Sequence, residues 1–264
     1  MAEETQYTAN TGIVQISTAN AGLDGSGTLG TVLTGASNGT LVKSVIIKAI
    51  TNVTEGMIRL FIDDNNGTKE LLYEVVVPAI TKASINKAFE TRINLDFFLK
   101  SGYILKAATQ NNETFNVIAE GMDCAYYSNG VRMDTTKYTA NTGSVVIATA
   151  NSNLNGTGTL GLAYTAGASA TYNGSSVGSI TIKSSVSDSP GMIRLYLDNL
   201  TTKFCFAEVV VPTRTKSSTD QAFEHTIVFD NDFELQAGYK IQASTEIGES
   251  YHVMVEGNDW NYYS

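Results

Sequence analysis

The sequence predicts an all-β fold made of two tandem, homologous antiparallel β-sandwich domains of jelly-roll-like type. Three observations carry this expectation. The second half of the chain repeats the first in order. Short segments rich in Val, Ile, Thr, Phe and Tyr alternate with Gly, Asn and Asp, the residues that build strands and the turns between them. No apolar pattern at i, i+3, i+4, i+7 persists for three turns, so no helix is expected.

The repeat is read first, because self-similarity decides the organisation of a chain. Tyr7-Thr8-Ala9-Asn10-Thr11-Gly12 returns as Tyr138-Thr139-Ala140-Asn141-Thr142-Gly143, and Gly27-Thr28-Leu29-Gly30 as Gly158-Thr159-Leu160-Gly161. Gly56-Met57-Ile58-Arg59-Leu60 returns as Gly191-Met192-Ile193-Arg194-Leu195. Glu74-Val75-Val76-Val77-Pro78 returns as Glu208-Val209-Val210-Val211-Pro212, and Ala88-Phe89-Glu90 as Ala222-Phe223-Glu224. The closing Glu120-Gly121-x-Asp123-x-x-Tyr126-Tyr127-Ser128 matches Glu256-Gly257-x-Asp259-x-x-Tyr262-Tyr263-Ser264. The offset drifts from 131 to 136 residues, which a few insertions in Gly/Asn/Ser-rich loops explain. The period is far too long for a solenoid. Two whole domains are expected, residues 1–130 and 131–264, joined through the polar stretch around Ser128 to Lys137.

In the first copy, strands are expected in order at Ile13–Thr18, Leu29–Thr34, Leu41–Ile50, Met57–Asp63, Glu70–Val77, Phe89–Leu95, Tyr103–Thr109 and Phe115–Glu120. Ile58, Leu60 and Ile62 alternate with Met57, Arg59 and Phe61, which sends one set to each face of a sheet. Asp64-Asn65-Asn66-Gly67 is hairpin-turn chemistry, since Asn and Gly tolerate positive φ. Pro78 and Pro212 each close a Val-rich strand, where a missing N–H costs little. About eight strands per copy suit a jelly roll or an immunoglobulin-like sandwich, and the count leans to the jelly roll.

Composition narrows the function. Seventeen basic against 26 acidic side chains leave a formal charge of −9, and no run of basic residues forms the stripe that nucleic acid requires. An anionic membrane surface is disfavoured for the same reason, and no apolar run approaches the length that spans a bilayer. The polar, acidic N-terminus reads as the reverse of a secretory signal. Two cysteines make no disulfide framework, so synthesis in the cytoplasm of the producing cell is expected.

No catalytic, cofactor or metal constellation stands out. His225 and His252 are the only histidines, and the first copy has Thr91 and Asn116 in their places. Cys124 aligns with Trp260 and Cys205 with Leu71, so each reads as a small apolar filler. Asp63-Asp64-Asn65-Asn66-Gly67 resembles half of a calcium loop without its distal Glu, and reads as a turn. The charges common to both copies, among them Arg59/Arg194, Glu74/Glu208, Glu90/Glu224, Glu120/Glu256 and Asp123/Asp259, read as structure rather than as an acid–base pair. Arg59, Glu90, Arg194 and Glu224 are the candidate structural ion-pair residues, each Arg lying across strands from a Glu. Tyr126, Tyr127, Tyr262 and Tyr263 are candidate contact residues, because aromatics suit interfaces and stack on sugar rings; they could equally cover the open end of a sandwich.

The strings G-M-I-R-L-F-I-D-D, E-V-V-V-P-A, A-F-E, K-S-G-Y-I-L-K-A-A-T-Q-N and F-N-V-I-A-E-G-M-D are similar to small β-sandwich proteins encoded in tailed-phage structural gene clusters. The likeness is strongest over residues 56–123 and continues in a more diverged form over 191–259. It implies a virion protein, either a head decoration or auxiliary capsid component or a fibre- or tail-associated module, and it supplies no catalytic residues. Partners would be other virion proteins such as the major capsid protein, with no nucleic acid, membrane or cofactor. A homo-oligomer is expected, a trimer giving six similar domains around one axis. The alternative is a carbohydrate- or receptor-binding module of a fibre, tail or adhesin; a hydrolase on a sandwich scaffold ranks last.

Overall fold

The structure, a computed structural model, describes residues 6–125, 137–168 and 172–261. The chain divides into two compact units, Met1–Thr81 with Ala88–Asp134, and Thr135–Ser264 with Lys82–Lys87. The boundary expected at 130/131 lies outside the described residues.

In the first unit the strands are β1 (Gln6–Ile16), β2 (Gly30–Thr34), β3 (Thr40–Ala49), β4 (Gly56–Asp63), β5 (Lys69–Val77), β6 (Glu90–Leu99), β7 (Ile104–Thr109) and β8 (Phe115–Ala125). In the second they are β9 (Lys137–Ile147), β10 (Gly161–Thr165), β11 (Tyr172–Ser184), β12 (Gly191–Asp198), β13 (Lys203–Val211), β14 (Glu224–Leu235), β15 (Lys240–Thr245) and β16 (Tyr251–Asn261). The first unit forms two four-stranded antiparallel sheets, ordered β1-β8-β3-β6 and β2-β7-β4-β5. The second repeats this as β9-β16-β11-β14 and β10-β15-β12-β13. Within each unit the first strand pairs with the eighth, the second with the seventh, the third with the sixth and the fourth with the fifth. That is one long hairpin rolled up into two sheets, which makes the topology a jelly roll rather than immunoglobulin-like.

Period-two patterning builds the core. Val45 and Ile47 of β3 and Val117 of β8 meet Ile58 and Leu60 of β4 and Leu105 of β7, all fully buried in one cluster. Burying each such side chain contributes roughly 1.5–3 kcal/mol. The ladders also slip at matching places: between Val42 and Ser44 in β3 and between Val177 and Ser179 in β11, and between Leu60 and Phe61 in β4 and between Leu195 and Tyr196 in β12. The duplication has therefore preserved bulges as well as strands, as expected of designed features rather than defects.

One expectation needs correcting. β1 begins at Gln6, not Ile13, and β8 runs on to Ala125. Tyr7-Thr8-Ala9-Asn10-Thr11-Gly12 carries the Asn and Gly of a turn but lies in the ladder, with Asn10 opposite Gly121 and Gly12 opposite Ala119. Gly12 serves close approach: a Cβ there would lie 2.1 Å from the Val32 carbonyl oxygen, and one on Gly143 would lie 2.0 Å from that of Ala163. Backbone contact across the sandwich, not turn geometry, requires the glycine.

Candidate functional site

The residues common to both halves assemble into three polar arrangements in each domain. The first joins the two most alike motifs. In the first domain the Asn10 side-chain amide donates to Asp123 Oδ1 at 2.8 Å and the Thr40 hydroxyl donates to the same oxygen at 2.5 Å. In the second, Asn141 donates to Asp259 Oδ1 at 2.8 Å and Ser175 at 2.5 Å. One carboxylate thus ties together three neighbouring strands at the end of the sheet. Charge-assisted bonds of this kind are roughly twice as strong as neutral ones.

The second arrangement is a loop pinned by asparagine. Asn20 Nδ2 donates to the carbonyls of Ser26 and Thr28, and its Oδ1 accepts from the Gly22 amide. Asn151 makes the same bonds to Thr157, Thr159 and Asn153. The Asn20 and Asn151 amides donate to the Thr109 and Thr245 carbonyls, both at 2.7 Å. The repeated string Gly27-Thr28-Leu29-Gly30 does not itself include this asparagine. The signal was present, since Asn20 and Asn151 stand at the same distance before each copy of that string.

The ion pairs form the third. Arg59 lies opposite Glu74 in the β4–β5 register, and its Nε donates to Glu74 Oε1 at 2.9 Å. Arg194 meets Glu208 in the same way at 3.0 Å, with Glu246 Oε2 at 3.7 Å on its other side. Glu90 and Glu224, candidates for the same role, lie in the other sheet and pair with lysines: Glu90 with Lys48 at 3.2 Å, and Glu224 with Lys183. The ladder sets this, placing Lys48 opposite Glu90 and Lys183 opposite Glu224.

Glu120 and Asp63 are each held by a basic neighbour. Glu120 is fully buried beside Arg92, whose Nη2 lies 2.7 Å from Glu120 Oε2, while Glu120 Oε1 has no hydrogen-bond partner. Burial pushes its carboxyl up to about 7, outweighing the pull of the Arg92 guanidinium. Its counterpart Glu256 is exposed and takes a bond from Ser179, and Thr226 stands where Arg92 would be. Asp63 is bridged to Lys106 at 2.8 Å and accepts from the Asn65 amide, and these hold its carboxyl below the usual range. Those bonds occupy the carboxylate that a calcium loop would use first. Among the described residues no group of three or more His, Cys, Asp or Glu could hold a metal ion.

His225 and His252 lie exposed on β14 and β16, and Cys124 and Cys205 are buried free thiols. The second domain also holds a buried acid that the repeat comparison could have revealed. Asp188 and Tyr251 stand where the first domain has Val53 and Phe115, all four buried. Asp188 Oδ2 accepts from the Phe223 amide at 3.0 Å and the Tyr251 hydroxyl donates to Glu249 at 2.9 Å, so this acid holds backbone. Tyr126, Tyr127, Tyr262 and Tyr263 lie outside the described residues.

Two open grooves mark the first domain. One, of about 440 Å³, is lined by Tyr7, Phe98, Lys100 and Cys124 together with Ser and Asn side chains. The other, of about 410 Å³, runs between the edge strands β5 and β6. Neither contains a base held against a nucleophile, as covalent catalysis would need.

No protein-family model matches the chain, and no curated protein matches it in sequence. Among solved structures it is similar to the PBSX exported protein XepA, at 10% identity over 97% of this chain and 86% of that one, with a TM-score of 0.25. It is similar to the STIV MCP at 10% identity over 98% and 97%, TM-score 0.27. It is also similar to the tandem CBM22-1-CBM22-2 domains of Xyn10C from Paenibacillus barcinonensis, at 11% identity over 97% and 92%, TM-score 0.25. TM-scores this low carry no weight for function, and the fold assignment rests on the strand pairing itself.

Proposed function

We propose that the chain is a non-enzymatic structural protein of a tailed-phage virion, a head decoration or auxiliary capsid component whose two jelly rolls make subunit–subunit contacts. The observation that carries this reading is the use of the side chains the duplication has kept. Asn10, Asp123, Asn20, Arg59 and Glu74, with their partners Asn141, Asp259, Asn151, Arg194 and Glu208, all bind strands or loops of their own domain. Selection that preserved a reaction would have kept a cleft and its acid or base; here the scaffold was kept. The resemblance of residues 56–123 to phage structural β-sandwich proteins supports the virion assignment. Doubling the domain doubles the contact surface of each copy, and a trimer would present six domains around its axis. Analytical ultracentrifugation tests the assembly: a defined oligomer is expected, and a strict monomer at all concentrations counts against it.

A second reading, a carbohydrate- or receptor-binding module, is favoured by one observation: the mixed aromatic and polar lining of the 440 Å³ groove.

A further inference from the structure

We propose that the groove at the end of the first domain binds an acidic saccharide, a uronate- or sialate-bearing chain. This deepens the second reading above and is independent of a particle role. The groove lies beside the paired residues Tyr7 of β1 and Cys124 of β8, with Phe98 at the end of β6. Phe98 is 64% exposed, an apolar ring held in water. The polar residues Ser37, Asn38 and Ser101 line the same groove. An apolar occupant would strip water from those polar groups without replacing their hydrogen bonds, which is costly. A sugar ring satisfies both demands, laying its C–H face on the aromatic and turning its hydroxyls to the polar rim.

Charge selects the acidic class. Among the described residues the lining includes Lys100 and no Asp or Glu, although the chain as a whole carries −9. The Lys100 ammonium sits 5.3 Å from the centre of the Tyr103 ring, which steadies it at the rim by cation–π attraction. The second domain does not repeat this lining. Glu234 stands for Phe98 and Gln236 for Lys100, and Trp260, buried and opposite Tyr138, takes the place of Cys124. The second domain therefore carries a buried indole at the position that corresponds to Cys124.

Calorimetric titration of the full chain with an oligo-glucuronate, and separately a sialyl-oligosaccharide, against a neutral gluco-oligosaccharide of matched length tests this. The expected Kd for an acidic probe is on the order of 1 mM, about tenfold tighter than the neutral one, and added salt weakens it. Phe98→Ala weakens acidic binding by about tenfold or more, Lys100→Gln abolishes the preference for acid, and Cys124→Trp blocks the groove. If Cys124→Trp disturbs folding, Phe98→Ala still decides, because it truncates an exposed side chain. Acidic binding untouched by Phe98→Ala overturns the groove while leaving the binding reading standing. A neutral preference overturns the ligand class, and no binding of any probe overturns both.

Discussion

The two domains carry the same two kinds of ion pair and bury opposite ones. In the second, Arg194 and Glu208 are almost dry, their side chains 4% and 2% exposed; in the first, Glu74 leaves its side chain 38% in water against Arg59. The lysine pairs reverse this. Lys48 is wholly buried beside Glu90, whereas Lys183 and Glu224 are both about half exposed. Neighbours on the same face follow the trend, with Ile46 and Ile118 buried in the first domain and Thr181 and Met254 in their places in the second. Ladder register fixes who pairs with whom, and it is the same in both copies. What a pair contributes depends on how far water is excluded, and there the corresponding pairs differ.

The largest expected effect tests that divergence directly. Arg194→Ala strands Glu208 in a dry site and should cost about 3–5 kcal/mol, whereas Arg59→Ala should cost about 1 kcal/mol because its partner is solvated. Trp260, the only tryptophan and buried in the second domain, reports that domain's denaturant unfolding by fluorescence. The buried thiols of Cys124 and Cys205 report the two domains separately by labelling. Equal losses for the two substitutions would show that burial does not govern these pairs.

The next effect is a pH dependence confined to the first domain. Glu120 has its carboxyl raised to about 7, above its unfolded value of 4.5. The folded state therefore holds the proton more tightly, and stability falls as pH rises from the unfolded value through the folded one. A loss on the order of 2–3 kcal/mol is expected between mildly acidic and mildly alkaline solution. It should appear in Cys124 labelling under denaturant, be absent from Cys205 labelling, and vanish in Glu120→Gln. Persistence of the slope in that variant would assign it to another group.

Smaller and symmetric effects are expected where the copies agree. Asn20→Ala and Asn151→Ala each remove three side-chain bonds to the loop and should cost about 1–3 kcal/mol apiece, with hydrogen exchange rising in the loops at residues 20–28 and 151–159. Protection that changes in one loop only would show that the asparagines are not equivalent. The smallest effect belongs to Lys183→Ala, within about 0.5 kcal/mol because both partners are solvated; a larger loss in equilibrium unfolding would show that pair to be drier than described.

The fold was largely legible in the sequence because period-two patterning and a second copy of every motif constrain strands strongly. Eight expected strands of the first copy correspond to β1–β8, and the hairpin at Asp64–Gly67 forms with Asn65 at φ 59° and Gly67 at φ 109°. The start of β1 was hidden because Asn10 and Gly12 look like turn residues when they serve an Asp123 contact and a backbone approach. The partners of Arg59 and Glu90 were hidden because register, which no spacing reveals, assigns them to different sheets. The groove was least legible of all, since Tyr7, Phe98 and Cys124 converge only once the hairpin is rolled up.

The most direct test of the structural reading is quantitative mass spectrometry of particles purified from cells expressing the gene with its native neighbours. The account predicts this chain in many copies per particle, at a fixed ratio to the shell protein. Its absence from intact particles would contradict that reading.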